Sequence, residues 1–246
     1  MANPTIDSKK VHLVLQGKGG VGKSYIASLL AQYHQHQHRP LVCLDTDPVN
    51  ATFTSYEAYR ARRIELMAGS TLEERGFDKM LEAIVEEDSN FVIDNGAASF
   101  IPLTNYLIEN DAIRLIAASN KQVVVHTVIT GNQAMLDTVR GLDGLCKDLP
   151  TEAEVVVWLN EFFGLVEMDG KSFEELTVYA KHRHRIGSVI RLARQTSSTF
   201  ATDVSMMLER KLTFADAVKS ADFGLMAKQR LTQVRRAIFD QLALAV

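Results

Sequence analysis

Short runs dominated by apolar, often β-branched residues recur along the chain at 11–15, 41–44, 91–93, 113–118 and 155–159, with a weaker one at 186–190. Continuous runs of this length predict strands covered on both faces. Between them, apolar residues return at spacings of three and four, which predicts helices over 23–37, 71–87, 101–109, 123–146, 173–182, 200–208 and 225–244. Ser70 and Thr71, followed at capping-box spacing by Glu73 and Glu74, mark the start of one of them. Strand alternating with helix predicts an α/β fold, a doubly wound and mostly parallel sheet with helices on both faces. No repeat, linker or low-complexity tract interrupts the pattern. One domain is expected over 1–246, with 1–10 a flexible tail.

Composition changes this picture little. The 246 residues are 46% hydrophobic and 23% charged, with a formal net charge of −3, which excludes a globally basic nucleic-acid binder but not a local patch. The first ten residues hold no apolar leader, and no stretch approaches the roughly 18 apolar residues that span a bilayer. A cytoplasmic protein with membrane association unlikely is the expectation. Cys43 and Cys146 share no motif spacing, so both read as reduced small hydrophobes.

The strand at 11–15 runs into Gly17-Lys18-Gly19-Gly20-Val21-Gly22-Lys23-Ser24, which opens the first helix. That order of strand, glycine-rich turn and helix points backbone N–H groups and a helix dipole at one spot, a cradle for phosphate. The spacing satisfies G-x-x-x-x-G-K-[ST], so Lys23 reaches the terminal phosphates of a nucleotide and Ser24 takes a place on Mg²⁺. In open α/β sheets the ligand lies beyond the carboxyl ends of the strands. Those ends carry Asp45-Thr46-Asp47-Pro48 after 41–44 and Asp94-Asn95-Gly96 after 91–93. Asp94 stands where a carboxylate holds the metal shell; Asp47 is placed to orient the attacking water and to join that shell. The bland reading of these residues is that they cap turns.

With Lys18 and Lys23, the loop resembles the deviant Walker A signature of the ParA/MinD family of P-loop ATPases, and Asp45-Thr46-Asp47-Pro48 resembles that family's switch I. The likeness covers about the first hundred residues. It implies ATP and Mg²⁺ as cofactors and an ATP-dependent homodimer, in which Lys18 reaches the phosphates of the other subunit. It also implies that Asn160, at the end of the strand at 155–159, reads adenine. Two departures stand out: 47–52 is one residue shorter than the family's D-P-Q-G-N-A-T, and Asp94-Asn95-Gly96-Ala97 replaces D-T-P-P. Slow hydrolysis is the expected consequence. The longer strings, including V-V-W-L-N and Lys211-Leu212-Thr213-Phe214, are similar to the TraL family of IncP-type conjugative plasmids, which implies an accessory role in conjugal DNA transfer and a partner in the conjugation machinery. A partition or positioning ATPase, an amide-forming P-loop synthetase and a nucleotide-holding module without turnover remain as alternatives.

Three further features carry expectations. Of His34, His36 and His38, His34 and His38 share a helix face at i, i+4, but no carboxylate or third ligand follows at zinc spacing, and the cluster reads as a solvated helix end. The run from Lys181 to Arg194 is basic and free of acids, so Arg183, Arg185, Arg191 and Arg194 are candidates for DNA phosphate contact, against the bland reading of a solvated face. Leu231, Val234, Ile238 and Leu242 recur at helical spacing and read as a closing core helix.

Overall fold

A computed structural model describes residues 8–68, 71–195 and 197–246. The chain forms β1 (Lys9–Val14), α1 (Lys23–His36), β2 (Leu41–Asp45), β3 (Arg62–Arg63), β4 (Met67–Ala68), β5 (Thr71–Leu72) and α2 (Arg75–Glu86). There follow β6 (Asn90–Asp94), α3 (Phe100–Glu109), α4 (Ala112–Ala118), β7 (Lys121–Thr130), α5 (Met135–Asp148) and β8 (Glu154–Asn160). The last part holds β9 (Glu167–Met168), β10 (Lys171–Ser172), α6 (Thr177–His182), β11 (Ile186–Leu192), α7 (Ser198–Glu209), α8 (Phe214–Lys219) and α9 (Leu225–Ala245).

Among the described residues, seven strands make one sheet in the order β11-β8-β7-β1-β6-β2-β3, parallel throughout. Successive side chains leave opposite faces of a strand, so each central strand feeds two cores. Val14, Val92, Val124, Val156 and Trp158 pack beneath α1 and α9, whereas Val11, Leu13, Ile93, Val123 and Val125 pack beneath α2, α3 and α4. That double burial is why these strands read as unbroken apolar runs. Leu231, Ile238 and Leu242 of α9 are buried in the first core, as expected of a closing helix.

Several expectations are corrected. Residues 113–118 form helix α4, not a strand: Ala112, Ile113 and Ile116 are buried while Arg114 and Leu115 face solvent, a helical period. The helix expected over 123–146 is strand β7 followed by α5. The stiff side chains of Val123, Val124, Val125, Val128 and Ile129 favour the extended backbone, and Gly131 separates the elements. Helix α2 begins at Arg75 with Glu74 at its N-cap, because Thr71 and Leu72 pair with β4; Ser70, the other half of the expected capping box, lies outside the described residues. Lys9 and Lys10 belong to β1, paired with Lys121 and Gln122, so a tail over 1–10 is too long. Helix α8 was not foreseen. Thr213 caps it in a capping box with Asp216, and the Phe214 amide donates to the Gln32 side chain at 2.7 Å.

Candidate functional site

The carboxyl ends of β1, β2, β6, β7 and β8 converge on one edge of the sheet, and the glycine-rich loop lies at its centre. Gly20 and Gly22 adopt φ of 73° and 101°, which any side chain would strain, and Gly22 is the N-cap of α1. A Cβ at Gly17 would stand 2.9 Å from the Phe100 ring, and one at Gly22 would stand 2.8 Å from Asn160 Nδ2. The loop is therefore shaped by its neighbours as well as by its glycines. Lys23 is buried, and its Nζ donates to the Lys18 carbonyl at 3.0 Å. Burial lowers the ammonium below its ordinary range, while the carboxylates of Asp94 and Asp47 pull it back up.

Asp94 is 1% exposed, and among the described residues neither carboxylate oxygen has a partner in hydrogen-bonding geometry, the Ser24 hydroxyl being a near neighbour. Burial pushes its pKa up to about 7, against the opposing pull of Ser24 and Lys23. Orphaned oxygens so deep in a protein are rare and call for an occupant. A divalent cation fits the donor set: Ser24 and Asp94 are oxygen donors beside a phosphate cradle, the chemistry that suits Mg²⁺.

The ends of β2 and β6 are stitched together. Thr46 Oγ1 donates to the Asp94 carbonyl and to Asn95 Oδ1, and Ser99 Oγ donates to the same Asn95 oxygen at 2.8 Å. Asp45, fully buried, accepts from the amides of Asp47 and Thr54 and so ties down both ends of the following loop. Desolvation raises its pKa, and those amides oppose the shift. Asp47 Oδ1 accepts from the amides of Val49 and Asn50 and rests against Gly96, where a Cβ would come within 2.6 Å of it. The turn-capping role is therefore real for Asp47, and it places this carboxylate against the β6 end.

Asn160 sits at the end of β8 as expected, and its side chain grips the phosphate loop. Its Nδ2 donates to the Val21 carbonyl at 2.9 Å, and its Oδ1 accepts from the Phe162 amide. Beside it opens an apolar pocket of about 200 Å³, lined by Tyr25, Asn160, Phe162, Leu192 and Ile238 among others. Lys18 is half exposed and its Nζ contacts Asp137 Oδ2 of α5 at 2.8 Å.

The basic run is partly neutralised. Arg185 donates to the carbonyls of Leu149 and Pro150, Lys181 pairs with Asp143, and Arg191 bridges Glu161 and Glu174. Arg183 and Arg194 are exposed. Of the four arginines singled out, two are structural ties. The histidine cluster is corrected as well: His36 and His38 face solvent, but His34 is fully buried. Cys43 and Cys146 are buried free thiols, pushed by desolvation up to about 12 and about 11.

Sequence reasoning missed Asp137, because nothing local marks a helix residue 119 positions from its partner. It also missed the anchoring role of Asp45, although that residue was in view as part of the motif.

Fold and loop together define a P-loop protein. Similarity to solved structures shows the same fold: the MinC:MinD cell division complex of Aquifex aeolicus (TM-score 0.52, 13% identity, 94% of this chain and 96% of that one) and a ParA family ATPase of Chlorobium tepidum TLS (TM-score 0.50, 14% identity, 92% and 98%). A Borrelia burgdorferi B31 chain described as a plasmid partition protein and bound to AMPPNP aligns with a TM-score of 0.52 at 12% identity, over 94% of this chain and 99% of its own. A protein-family model described as Zeta toxin matches residues 2–135. Two Escherichia coli proteins named TraL are 46% and 42% identical over 233 residues, which is 95% of this chain and 97% of each relative. The chain belongs to the TraL family and, over residues 2–135, to the P-loop family that the Zeta toxin model describes.

Proposed function

We propose that this protein is a Mg²⁺- and ATP-binding switch that dimerises on ATP, hydrolyses it slowly, and serves as an accessory factor in plasmid conjugal transfer. The observation that carries the reading is the buried, unpartnered Asp94 carboxylate beside a phosphate loop that holds Lys23. Lys23 would meet the terminal phosphates, and Ser24 and Asp94 would hold the cation, with Asp47 closing the shell. When bound, Mg²⁺ neutralises phosphate charge. Asp47, oriented by its turn, would position the attacking water. Asn160 fixes the loop backbone beside the apolar pocket, whose size and walls suit a nucleobase.

A ring of apolar side chains supports the dimer. Val49, Ile101, Leu136, Phe162 and Leu165 are each more than half exposed, and all follow the carboxyl ends of β2, β6, β7 and β8 around the loop. Exposed apolar groups gathered on one edge favour a protein partner, and a second copy bound face to face would cover them. In that dimer Lys18 would exchange Asp137 for the other subunit's phosphates. Arg183 and Arg194, the exposed arginines of the basic run, are the two of the four left to meet DNA phosphate. Titration of a fluorescent ATP analogue with Mg²⁺ tests the binding step: wild type binds, and Lys23→Ala loses binding while keeping its fold. Equal binding by both would overturn the site.

A further inference from the structure

Four fully buried side chains form a continuous hydrogen-bonded chain across the core between the sheet and α1. Trp158 Nε1 donates to His126 Nδ1 at 2.9 Å, His126 Nε2 meets His12 Nδ1 at 2.8 Å, and His12 Nε2 meets His34 Nε2 at 2.9 Å. The chain crosses β8, β7, β1 and α1, and all four rings are 0% exposed. Two of these elements flank the phosphate loop directly, β1 entering it and α1 leaving it. His126 is also the residue paired with Val14, and its carbonyl accepts from the Leu15 amide at 2.8 Å.

An indole nitrogen only donates, and a neutral imidazole has one donor and one acceptor nitrogen. Trp158 therefore requires a bare Nδ1 on His126. The proton of His126 then sits on Nε2 and points at a bare Nδ1 of His12, whose own proton sits on Nε2 and points at a bare Nε2 of His34. One tryptophan sets the tautomers of three histidines. An added proton has no place in this chain: wherever it enters, or however the chain reverses to admit it, two N–H groups end up facing each other. Among the described residues, the cations Lys10 on β1 and Arg39 after α1 bear on His12, Lys10 bears on His126, and His34 meets Tyr33 edge-on. Neither cation welcomes an imidazolium at His12 or His126.

We propose that the Trp158-His126-His12-His34 chain is a proton-sensitive brace that holds α1 against β1, so that acidification loosens the phosphate loop and lowers its affinity for nucleotide. The proposal rests on the loop's being a nucleotide site, and the experiment separates the two. Binding of a fluorescent ATP analogue with Mg²⁺ is measured from pH 8 downward for wild type and Trp158→Phe, as far as circular dichroism shows the fold intact. Absence of binding at pH 8 would defeat the nucleotide reading itself.

The brace predicts that wild-type affinity falls roughly tenfold per pH unit once the chain takes up a proton. In Trp158→Phe, His126 Nδ1 faces no donor and can hold that proton, so the fall is shallower. Asp94 titrates in both proteins and cancels in the comparison. Parallel profiles, or wild-type affinity that stays flat until the fold is lost, overturn the proposal. Imidazole ¹⁵N spectra of the wild type give a second test independent of any variant. Bare Nδ1 on His12 and His126 with bare Nε2 on His34 is the expected pattern; any other tautomer set contradicts it.

Discussion

Lys18 Nζ lies 2.8 Å from Asp137 Oδ2, so the lysine assigned to a second subunit is held within its own chain. Both side chains are nearly half exposed, and an ion pair of that kind contributes at most about 1 kcal/mol. Asp137→Asn should free the lysine and lower the ATP concentration needed for dimerisation by up to roughly fivefold. Sedimentation at graded ATP checks this; an unchanged threshold would mean that the pair does not restrain Lys18.

Asp94→Asn should separate stability from function. Removing a buried carboxylate without a partner stabilises the nucleotide-free protein by about 1–2 kcal/mol, roughly 3–6 °C in melting temperature for a chain of this length. The same change should abolish the Mg²⁺ dependence of nucleotide binding. Calorimetry with and without Mg²⁺ reads both, and a destabilised variant that still responds to Mg²⁺ would refute the assignment.

Asn160→Ala removes a buried bond to the Val21 carbonyl, worth about 1–2 kcal/mol at the loop. Nucleotide affinity should fall roughly tenfold, since each 1.4 kcal/mol is a factor of ten, while the Lys18–Asp137 pair stays intact. An unchanged Kd for Asn160→Ala would show that Asn160 neither shapes the loop nor meets the base.

Arg191 is expected to matter for stability. Glu161, 6% exposed, accepts from Arg191 Nη1 at 2.6 Å and from the Arg194 amide at 3.3 Å, so Arg191→Ala leaves a largely buried carboxylate without its ion pair and should destabilise the fold by about 1–3 kcal/mol. Denaturant unfolding checks the loss. A stable variant whose only defect is in DNA binding would restore the sequence-based view of this arginine.

Acid should destabilise the protein through the buried histidines. His126 is held down to about 3 and His12 well below 6.5, chiefly by burial and then by neighbouring histidines and cations. Both are neutral when folded but take up protons near pH 6.5 when unfolded. Their contribution is therefore complete above pH 6.5 and is lost as pH falls, by about 2 kcal/mol between 6.5 and 5.5 for the pair. Asp94, with its pKa raised to about 7, runs the opposite way over this window. Asp94→Asn should thus show a steeper acid loss than wild type in urea unfolding; identical slopes would argue against one of the two shifts.

What the sequence made legible was local. The glycine loop, Lys23, Ser24, Asp94 and Asn160 lie in contiguous motifs whose spacing carries the geometry, and all of them reach one edge of the sheet. The double burial of β1, β6 and β8 was equally plain, because both faces demand apolar residues. Periodicity failed where it is ambiguous: β7 and α5 merge into one apolar stretch, and α4 is short enough to pass for a strand. The contacts that tune the site were not legible at all. Asp137 meets Lys18, and His126 meets His12, only because the topology lays β7 and α5 beside β1 and the loop that follows it.

Nucleotide should assemble two copies of this chain through Lys18. Light scattering of wild type, Lys18→Ala and Lys23→Ala without nucleotide, with ADP and with ATP tests it most directly. A dimer is expected only for wild type in ATP, with a monomer that still binds ATP for Lys18→Ala and no ATP binding for Lys23→Ala. A wild type that stays monomeric in ATP, or a Lys18→Ala variant that dimerises equally well, would contradict it.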